Sequence, residues 1–371
     1  MPRHRPCLTV LALASLAALT VPAHADAHPI IVGASLPLSG ANAATGQETL
    51  SVLKAYFDSI NRSGGIDGRP LQLNALDDAY EPEKAAENTR TLAASRAVAL
   101  LNCWGTANCS AMAPVATQAG MPLMGGIGAP PGRYVFNVRA STESELAAVV
   151  RHMANIGQTQ IAVVYEDAAF GKEAHGLARR ALQDHRLQPL LELALAPDGS
   201  NAGAVAAELG KADALNGVIL LASPALTVGF INQVRNAGVG VQFYNLAAQA
   251  NAAVVRGLGR HTSGVVFTTL VPSPWRSAIP AVREYQQLVG KDGAQAQYSF
   301  LGMEVYLNAR TLVEGLRKAG RGVTRDALVA ALESQEPRQY GPMTVHFGPQ
   351  RREGSSYVGL TMIDRRGQFI E

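Results

Sequence analysis

The sequence predicts an α/β protein in which two doubly wound parallel-sheet lobes are joined by crossover hinge strands. Strand-like and helix-like segments alternate from Pro29 almost to the end of the chain, the rhythm of parallel sheets covered by helices on both faces. This alternation restarts near Ser141, so the chain divides into two series. The length of 371 residues also exceeds what one hydrophobic core usually supports.

The first series begins with a continuous apolar strand over 29–36. A helix over 46–62 follows, because Leu50, Leu53, Phe57 and Ile60 recur at helical spacing. The remaining segments are predicted as strand 71–76, helix 81–95, strand 97–101, helix 106–119 and a short strand over 122–124.

The second series opens with Thr142 and Glu145, whose spacing predicts a capping box ahead of an apolar helix. Short apolar runs then alternate with helical patterns, as in strands buried on both faces. We predict strands over 161–165, 189–195, 217–222, 241–246 and 264–270, and helices over 171–185, 201–212, 225–237 and 249–258.

The C-terminal part predicts how the two lobes are completed. Helices are expected over 277–290 and 296–319, a further capped helix begins at Thr324, and 343–347 should pair antiparallel with 357–363. We assign residues 29–142 plus 273–341 to lobe 1 and 143–272 plus 342–371 to lobe 2. Ligands of open α/β sheets bind at the carboxyl ends of the strands, so these ends are expected to face a cleft between the lobes.

The N-terminus has the pattern of a signal peptide over residues 1–25. A basic start at Arg3, His4 and Arg5 precedes an uncharged apolar run over 7–21, which is too short to span a bilayer. Small residues allow cleavage after Ala25, or nearly as well after Ala27. We therefore expect export to the periplasm.

Charge and motifs exclude several functions. Removal of residues 1–25 leaves 30 basic and 29 acidic residues, and a net charge of +1 gives no electrostatic basis for nucleic-acid binding. No Walker A string, His-Glu-x-x-His motif or pair of Cys-x-x-Cys motifs occurs. The glycine-rich 126–132 segment contains Pro130 and Pro131 where a nucleotide-binding helix would begin. The sequence therefore predicts no enzyme, catalytic residue, metal site or cofactor.

One segment, 102–108, has the features of a binding loop, since it follows a strand and opens a helix. Gly105 allows close backbone approach, and helix N-terminal amides with the Thr106 hydroxyl suit a carboxylate or carbonyl. Alternatively, Thr106 is only a helix cap and Trp104 only core. Cys103 and Cys109 flank this loop, and the sequence leaves open a disulfide or two buried thiols.

Seven short strings, in order, are similar to those of one family. The chain resembles the periplasmic leucine/isoleucine/valine-binding proteins, the type I substrate-binding proteins of branched-chain amino acid ABC transporters. The strings lie at 33–40, 61–70, 77–78, 105–106, 134–141, 165–171 and 233–238.

This resemblance implies the type I periplasmic binding protein fold, with three crossovers and closure by hinge bending. It also implies a ligand site in the loops at the strand ends of both lobes. Its residues would be Thr45, Trp104, Gly105, Thr106, Gly128 and Ala129 of lobe 1, and Phe170, Ser223, Pro224 and Ala247 of lobe 2.

Two positions depart from the family pattern. Phe170 stands where the family usually has tyrosine, and Ala247 lies nearest to the acid that receives a ligand ammonium. A buried ammonium without a carboxylate is costly. A small carboxylate without an amine is therefore favoured, unless Asp167, Glu166 or Glu304 substitutes or the correspondence at Ala247 is shifted by one or two residues.

Together these features predict a monomeric periplasmic solute-binding protein. It would capture a small molecule (an amino acid, or a small carboxylate or amide) and deliver it to the membrane permease of an ABC transporter. The main alternative is a periplasmic ligand-sensing domain for a signalling partner. A secreted hydrolase and a cytoplasmic amide-sensing regulator are disfavoured by the missing nucleophile constellation and by the signal peptide.

Overall fold

Two separate sheets, each rich in parallel strands, form the protein. The structure is a computed structural model, and it describes residues 28–126, 129, 132–290, 298–364 and 366–370. The predicted signal peptide therefore lies outside the described residues. None of the helices within those ranges is both long and apolar enough to cross a bilayer.

The first sheet has five strands in the order β2-β1-β3-β4-β5, and every neighbouring pair is parallel. Its strands are β1 (Ile30–Leu36), β2 (Leu71–Asp77), β3 (Ala99–Cys103), β4 (Leu123–Gly126) and β5 (Val135–Phe136). The helices between them are α1 (Ala43–Arg62), α2 (Pro82–Ala94) and α3 (Thr106–Gln118). All five residues of β3 are buried, as expected for a central strand covered on both faces.

The second sheet has seven strands in the order β14-β13-β10-β9-β8-β6-β7. The strands β6 (Ile161–Glu166), β7 (Leu191–Leu195), β8 (Gly217–Leu221), β9 (Gln242–Asn245) and β10 (Val265–Thr269) are parallel. Helices of this part are α4 (Thr142–Asn155), α5 (Ala169–Asp184), α6 (Ala202–Gly210), α7 (Pro224–Asn236) and α8 (Ala252–Leu258).

After β10 the chain returns to the first sheet. The helices there are α9 (Pro280–Val289), α10 (Phe300–Ala319) and α11 (Arg325–Glu333). Helix α10 packs on α1, where the Tyr56 and Tyr306 rings meet edge to face at 5.3 Å, and it reaches β3 and β4. A hairpin of β11 (Arg338–Tyr340) and β12 (Met343–Val345) follows.

The last strands return to the second sheet, which corrects one prediction. Strand β13 (Gly359–Ile363) pairs antiparallel with β10 and with β14 (Phe369–Ile370), so the predicted pairing of 343–347 with 357–363 is wrong. Strand β12 instead finds a local partner in β11, and the free edge of β10 binds β13. The predicted lobe boundaries (29–142 plus 273–341, and 143–272 plus 342–371) stay a prediction.

The capping box predicted for Thr142 and Glu145 is also wrong. The N-cap of α4 is Ser141, whose hydroxyl accepts a hydrogen bond from the Ser144 amide at 3.3 Å. With the helix starting one residue earlier, Glu145 is the fourth helical residue and no longer stands at the position that reaches back to the cap. Its side chain turns inward instead and is only 2% exposed.

Candidate ligand-binding site

The loop between β3 and α3 is closed by a disulfide. Cys103 is the last residue of β3, Cys109 lies in the first turns of α3, and the bond joins Cα atoms 5.7 Å apart. Both cysteines are fully buried. Of the two possibilities left by the sequence, the bridge is the one observed, and it encloses the five residues from Trp104 to Asn108.

Gly105 has a backbone conformation that favours glycine. It is the N-cap of α3, with φ +90° and ψ 128°, a region that residues with a Cβ rarely occupy. A Cβ added there would lie 2.7 Å from the Tyr80 hydroxyl. The loop that follows β2 therefore packs directly on the loop that follows β3, which requires both a positive φ and the absence of a side chain.

Thr106 is the first residue of α3, one position past the cap. The suggestion that it serves only as a helix cap is therefore wrong, since Gly105 occupies that position. Thr106 is half-buried, and its hydroxyl makes no hydrogen bond to another described residue. The first-turn amides of a helix carry partial positive charge. Together, hydroxyl and amides can bind a carboxylate or carbonyl oxygen.

Trp104 forms a wall of this loop and joins it to α1. Its ring is 9% exposed, and its indole Nε1 donates a hydrogen bond to the Thr49 hydroxyl at 2.9 Å. Thr49 in turn donates to the carbonyl of Thr45 at 2.8 Å. Most of Trp104 is therefore core, as the alternative interpretation of the sequence proposed, and two successive hydrogen bonds connect its ring to Thr45.

The other predicted loop of the first lobe follows β4. Gly128 lies outside the described residues. Ala129 is 9% exposed and packs in the apolar core between α2, α3 and the sheet. Its amide donates to the carbonyl of Gly126 at 3.3 Å, so in this conformation the Ala129 N–H is directed within its own loop.

On the second lobe, the predicted residues stand at the strand ends. Phe170 is the second residue of α5 and packs partly against that lobe's apolar core. Ser223 is the N-cap of α7, and its amide donates to a Glu166 carboxylate oxygen at 2.7 Å. Pro224 is the exposed first residue of the same helix. These contacts tie the loop after β8 to the loop after β6.

The strand ends of the two sheets are close enough to interact. Partial burial raises the pKa of the Tyr80 phenol, and the nearby carboxylates of Asp78 and Glu166 raise it further. Tyr80 follows β2 of the first sheet, whereas Glu166 ends β6 of the second. The end of β6 therefore lies near enough to the loop after β2 for the Glu166 charge to act on Tyr80. That these strand ends line a ligand cleft stays a prediction.

Ala247, the residue at the expected acid position, contacts an acid from elsewhere. Its amide donates to a Glu145 carboxylate oxygen at 2.8 Å, and the Thr268 hydroxyl donates to the same oxygen. Burial raises the pKa of the Glu145 carboxyl, although the Arg139 charge and these two hydrogen bonds oppose the shift. The inward-facing position of Glu145 has no local signal, because its spacing from Thr142 is that of a capping box.

Arg139 completes this buried group of charges. Its guanidinium forms an ion pair with Glu304 of α10 at 3.4 Å, and the two side chains are only 12% and 11% exposed. Arg139 lies just before α4, where the chain passes from the first sheet to the second. We call Arg139, Glu145 and Glu304 the crossover cluster. Its residues come from the link before α4, from α4 and from α10, next to the predicted hinge.

The predicted site residues include hydrogen-bond donors and aromatic side chains. Groups of three or more side chains able to hold a metal ion are absent from the described part of the chain. The loops present a helix N-terminus, a hydroxyl and aromatic side chains after the carboxyl ends of the parallel strands. These features suit the binding of a small molecule by a two-lobed protein.

The comparisons with known proteins name the family. The chain belongs to the periplasmic binding protein family, whose model, described as "Periplasmic binding protein", matches residues 29–368. A substrate-binding periplasmic protein from Ralstonia solanacearum is 30% identical, with a TM-score of 0.82 over 92% of this chain and 99% of that one.

Relatives with similar sequences point to the same family. A Leu/Ile/Val-binding protein homolog of Brucella abortus is 23% identical over 90% of this chain and 88% of its own. An amino acid binding protein of Pseudomonas aeruginosa is 30% identical, but the match spans only 32% of this chain and 31% of that protein. The resemblance to the leucine/isoleucine/valine-binding proteins is thereby confirmed.

Proposed function

We propose that the protein captures a small carboxylate-bearing molecule between its lobes in the periplasm and delivers it to the membrane permease of an ABC transporter. The observation that supports this most directly is the Gly105–Thr106 loop. It combines helix N-terminal amides with a hydroxyl that has no hydrogen-bond partner among the described residues, directly after the carboxyl end of β3. The family supports the receptor role, and the predicted signal peptide supports export.

The carboxylate of the ligand would bind at the first lobe. The amides at the start of α3 and the Thr106 hydroxyl supply donors in one place, and charge-assisted hydrogen bonds are stronger than neutral ones. Trp104 offers a partly exposed apolar edge beside them. The second lobe, with Phe170, Ser223 and Pro224, would close over the rest of the molecule.

A ligand without an ammonium group fits the acids of the site best. Each of the three acids predicted to replace the one missing at Ala247 already has a partner, and so does Glu145, which accepts from the Ala247 amide and the Thr268 hydroxyl. Glu166 accepts from the Ser223 amide, Asp167 pairs with Lys172 at 2.8 Å, and Glu304 pairs with Arg139. An ammonium would have to compete with these contacts in order to recover its cost of desolvation.

Closure would occur by rotation about crossovers near 141–146, 271–275 and 341–344. Only a ligand that contacts both lobes shifts the population towards the closed form, because a population shift requires differential affinity. The closed form would then present its ligand to the permease. The protein would act as a monomer.

A matched ligand panel tests the proposal. L-leucine is compared with 4-methylpentanoate, and L-phenylalanine with 3-phenylpropionate, so that each pair differs only by the amine. A ligand at a hundred times its Kd stabilises the protein by about 2.7 kcal/mol, which raises Tm by several degrees. We expect the deaminated member of at least one pair to give the larger shift, measured on protein refolded without ligand.

Two outcomes of the panel would count against parts of the proposal. A larger shift with the amino acids would show that an acid such as Glu166 exchanges its partner for the ligand. The absence of a shift with any carboxylate, at concentrations up to the millimolar range, would contradict the proposed ligand class.

Replacing Thr106 with alanine is expected to weaken carboxylate binding tenfold or more, because the variant loses a donor to a charged group, about 1.4 kcal/mol or above. Isothermal titration of the tightest panel compound measures the change. Thr106→Ser, which retains the hydroxyl, should keep most of the affinity. Thr117→Ala, at an exposed position in the last turn of the same helix, serves as control. Equal affinity of Thr106→Ala and wild type would remove Thr106 from the site.

A further inference from the structure

The Cys103–Cys109 disulfide closes a very short ring. The two residues are separated by 6 positions in the chain. A bridge stabilises a protein mainly by restricting its unfolded chain, and this effect grows with loop length. A ring of this size therefore adds comparatively little to global stability, and its main physical consequence is local.

The local consequence falls on the proposed binding loop. The ring contains Trp104, Gly105 and Thr106, and its two ends are the last residue of β3 and a residue of α3. Both sulfur atoms sit in the apolar core beneath the loop. The direction of the first-turn amides of α3 is thus fixed covalently to the end of the central strand.

Besides the bridge, the loop is held by packing of Gly105 against Tyr80, by the buried Trp104 and by a small number of hydrogen bonds. Within the described residues, the Gly105 carbonyl accepts from the Cys109 amide at 2.9 Å, and the Trp104 indole bonds to Thr49. Gly105 itself is the residue type with the widest choice of backbone conformations. An open ring would let Gly105 rotate and turn the Thr106 hydroxyl and amides away from the cleft.

We propose that the Cys103–Cys109 disulfide is a positioning element that sets ligand affinity, so that binding depends on the redox state of this bridge. The inference rests on the proposed function of the loop. In the oxidised protein the donors are pre-organised, and the ligand does not have to supply the cost of ordering them. In the reduced protein the same donors are present but are held less firmly, so the ligand is bound more weakly.

The redox step is ordinary thiol–disulfide exchange. A dithiol reductant attacks one sulfur as its thiolate, the S–S bond breaks, and a mixed disulfide forms. The second thiol of the reductant then displaces the remaining cysteine. The bridge gains two electrons and two protons, and the reductant becomes a cyclic disulfide. Because coupling is reciprocal, a ligand that prefers the oxidised form must stabilise the bridge against reduction by the same factor.

The double variant Cys103→Ala/Cys109→Ala tests the proposal. Alanine suits the apolar surroundings of both positions and leaves no buried hydroxyl. Titration with 4-methylpentanoate and with L-leucine as probes should give a Kd at least about tenfold higher than for the oxidised protein. Hydrogen–deuterium exchange of the peptide spanning 104–108 should be faster in the variant, while exchange in β6 and β8 stays unchanged.

Reduction of the natural protein provides a second route that needs no folded variant. Treatment with dithiothreitol, with the released thiols counted by a chromogenic reagent, should raise the Kd in parallel with thiol release. The same treatment of the double alanine variant should change nothing, which shows that the reductant acts through the bridge. Either probe, if it binds, should also slow reduction of the oxidised protein.

Two results would overturn the inference. One is an equal Kd for oxidised, reduced and double alanine proteins. The other is equal amide exchange over 104–108 in all three. If the oxidised protein binds neither probe, the proposed small-carboxylate function fails for these compounds. Amide exchange then still decides whether the bridge positions the loop.

Discussion

Replacing Arg139 with methionine is expected to lower the free energy of unfolding by about 3–5 kcal/mol, the usual cost of removing one partner from a buried ion pair. Arg139 pairs with the buried Glu304 at 3.4 Å, and its charge also acts on the almost fully buried Glu145. Methionine keeps much of the side-chain volume, so the loss should come from charge and not from a cavity. Urea denaturation followed by circular dichroism measures it.

The loss should depend on pH. Burial already raises the pKa of Glu145 in the folded protein, and Arg139 opposes that shift. When the pKa of an acid is higher in the folded than in the unfolded protein, its protonated form stabilises the fold. This stabilisation is complete below the unfolded pKa and is lost as the pH rises through the folded pKa. Removing Arg139 raises the folded pKa of Glu145 further, so the variant should be closest to wild type near pH 4.5 and should weaken progressively above it.

Two further variants separate charge from packing. In Arg139→Met/Glu304→Gln, one of the two unpaired carboxylates is neutralised, and part of the stability should return. Arg151→Met changes an exposed arginine of α4 and should alter stability by less than about 0.5 kcal/mol. A loss in Arg139→Met that is the same at pH 4.5 and pH 8 would contradict an electrostatic role for the crossover cluster.

The two sheets could be predicted because parallel strands buried on both faces leave short apolar runs that turn signals separate. β8, for example, is observed over Gly217–Leu221 against a prediction of 217–222. The strand pairing near the C-terminus was harder to predict, because β13 pairs with β10, a strand about ninety residues earlier in the chain. Such pairings depend on which sheet edge is free, and no local pattern records that.

The binding loop could be predicted because its position follows from the fold. The segment after a central parallel strand lies at the ligand edge of the sheet, and Gly105 with Thr106 stands immediately after β3. Whether Cys103 and Cys109 form a disulfide could not be predicted, because bridge formation depends on the distance between their Cα atoms, and their separation in the sequence does not give that distance. The role of Tyr80 was also hidden, since its contact with Gly105 joins two loops through space.

The crossover cluster illustrates the same limit. Glu145 and Ala247 are 102 residues apart in the chain, and nothing near either residue signals their contact. A glutamate in the first turn of a helix ordinarily lies in solvent, where it favours the helix dipole. Only the packing of α4 beneath β9 and β10 turns Glu145 into a buried acid at the junction of the lobes.

Replacing Gly105 with alanine is expected to weaken ligand binding by roughly 10- to 100-fold. A residue with a Cβ at φ +90° costs about 1–3 kcal/mol, and here the Cβ would also lie 2.7 Å from the Tyr80 hydroxyl. The variant can relieve both problems by moving the loop and Tyr80. Binding must then return the amides at the start of α3 to their original positions. Each 1.4 kcal/mol of free energy that this rearrangement costs raises Kd tenfold.

Gly64→Ala is the matched control for this variant. Gly64 has φ +93° in the turn before β2, and a Cβ there would meet nothing within 4 Å. It should therefore lose stability through backbone strain alone and keep the affinity of wild type for the tightest panel compound. The variant Gly105→Ala/Tyr80→Ala removes the steric part and should recover only some of the binding. If Gly105→Ala and Gly64→Ala lose stability equally and neither changes Kd, the conformation of Gly105 serves the fold and the ligand binds elsewhere in the cleft.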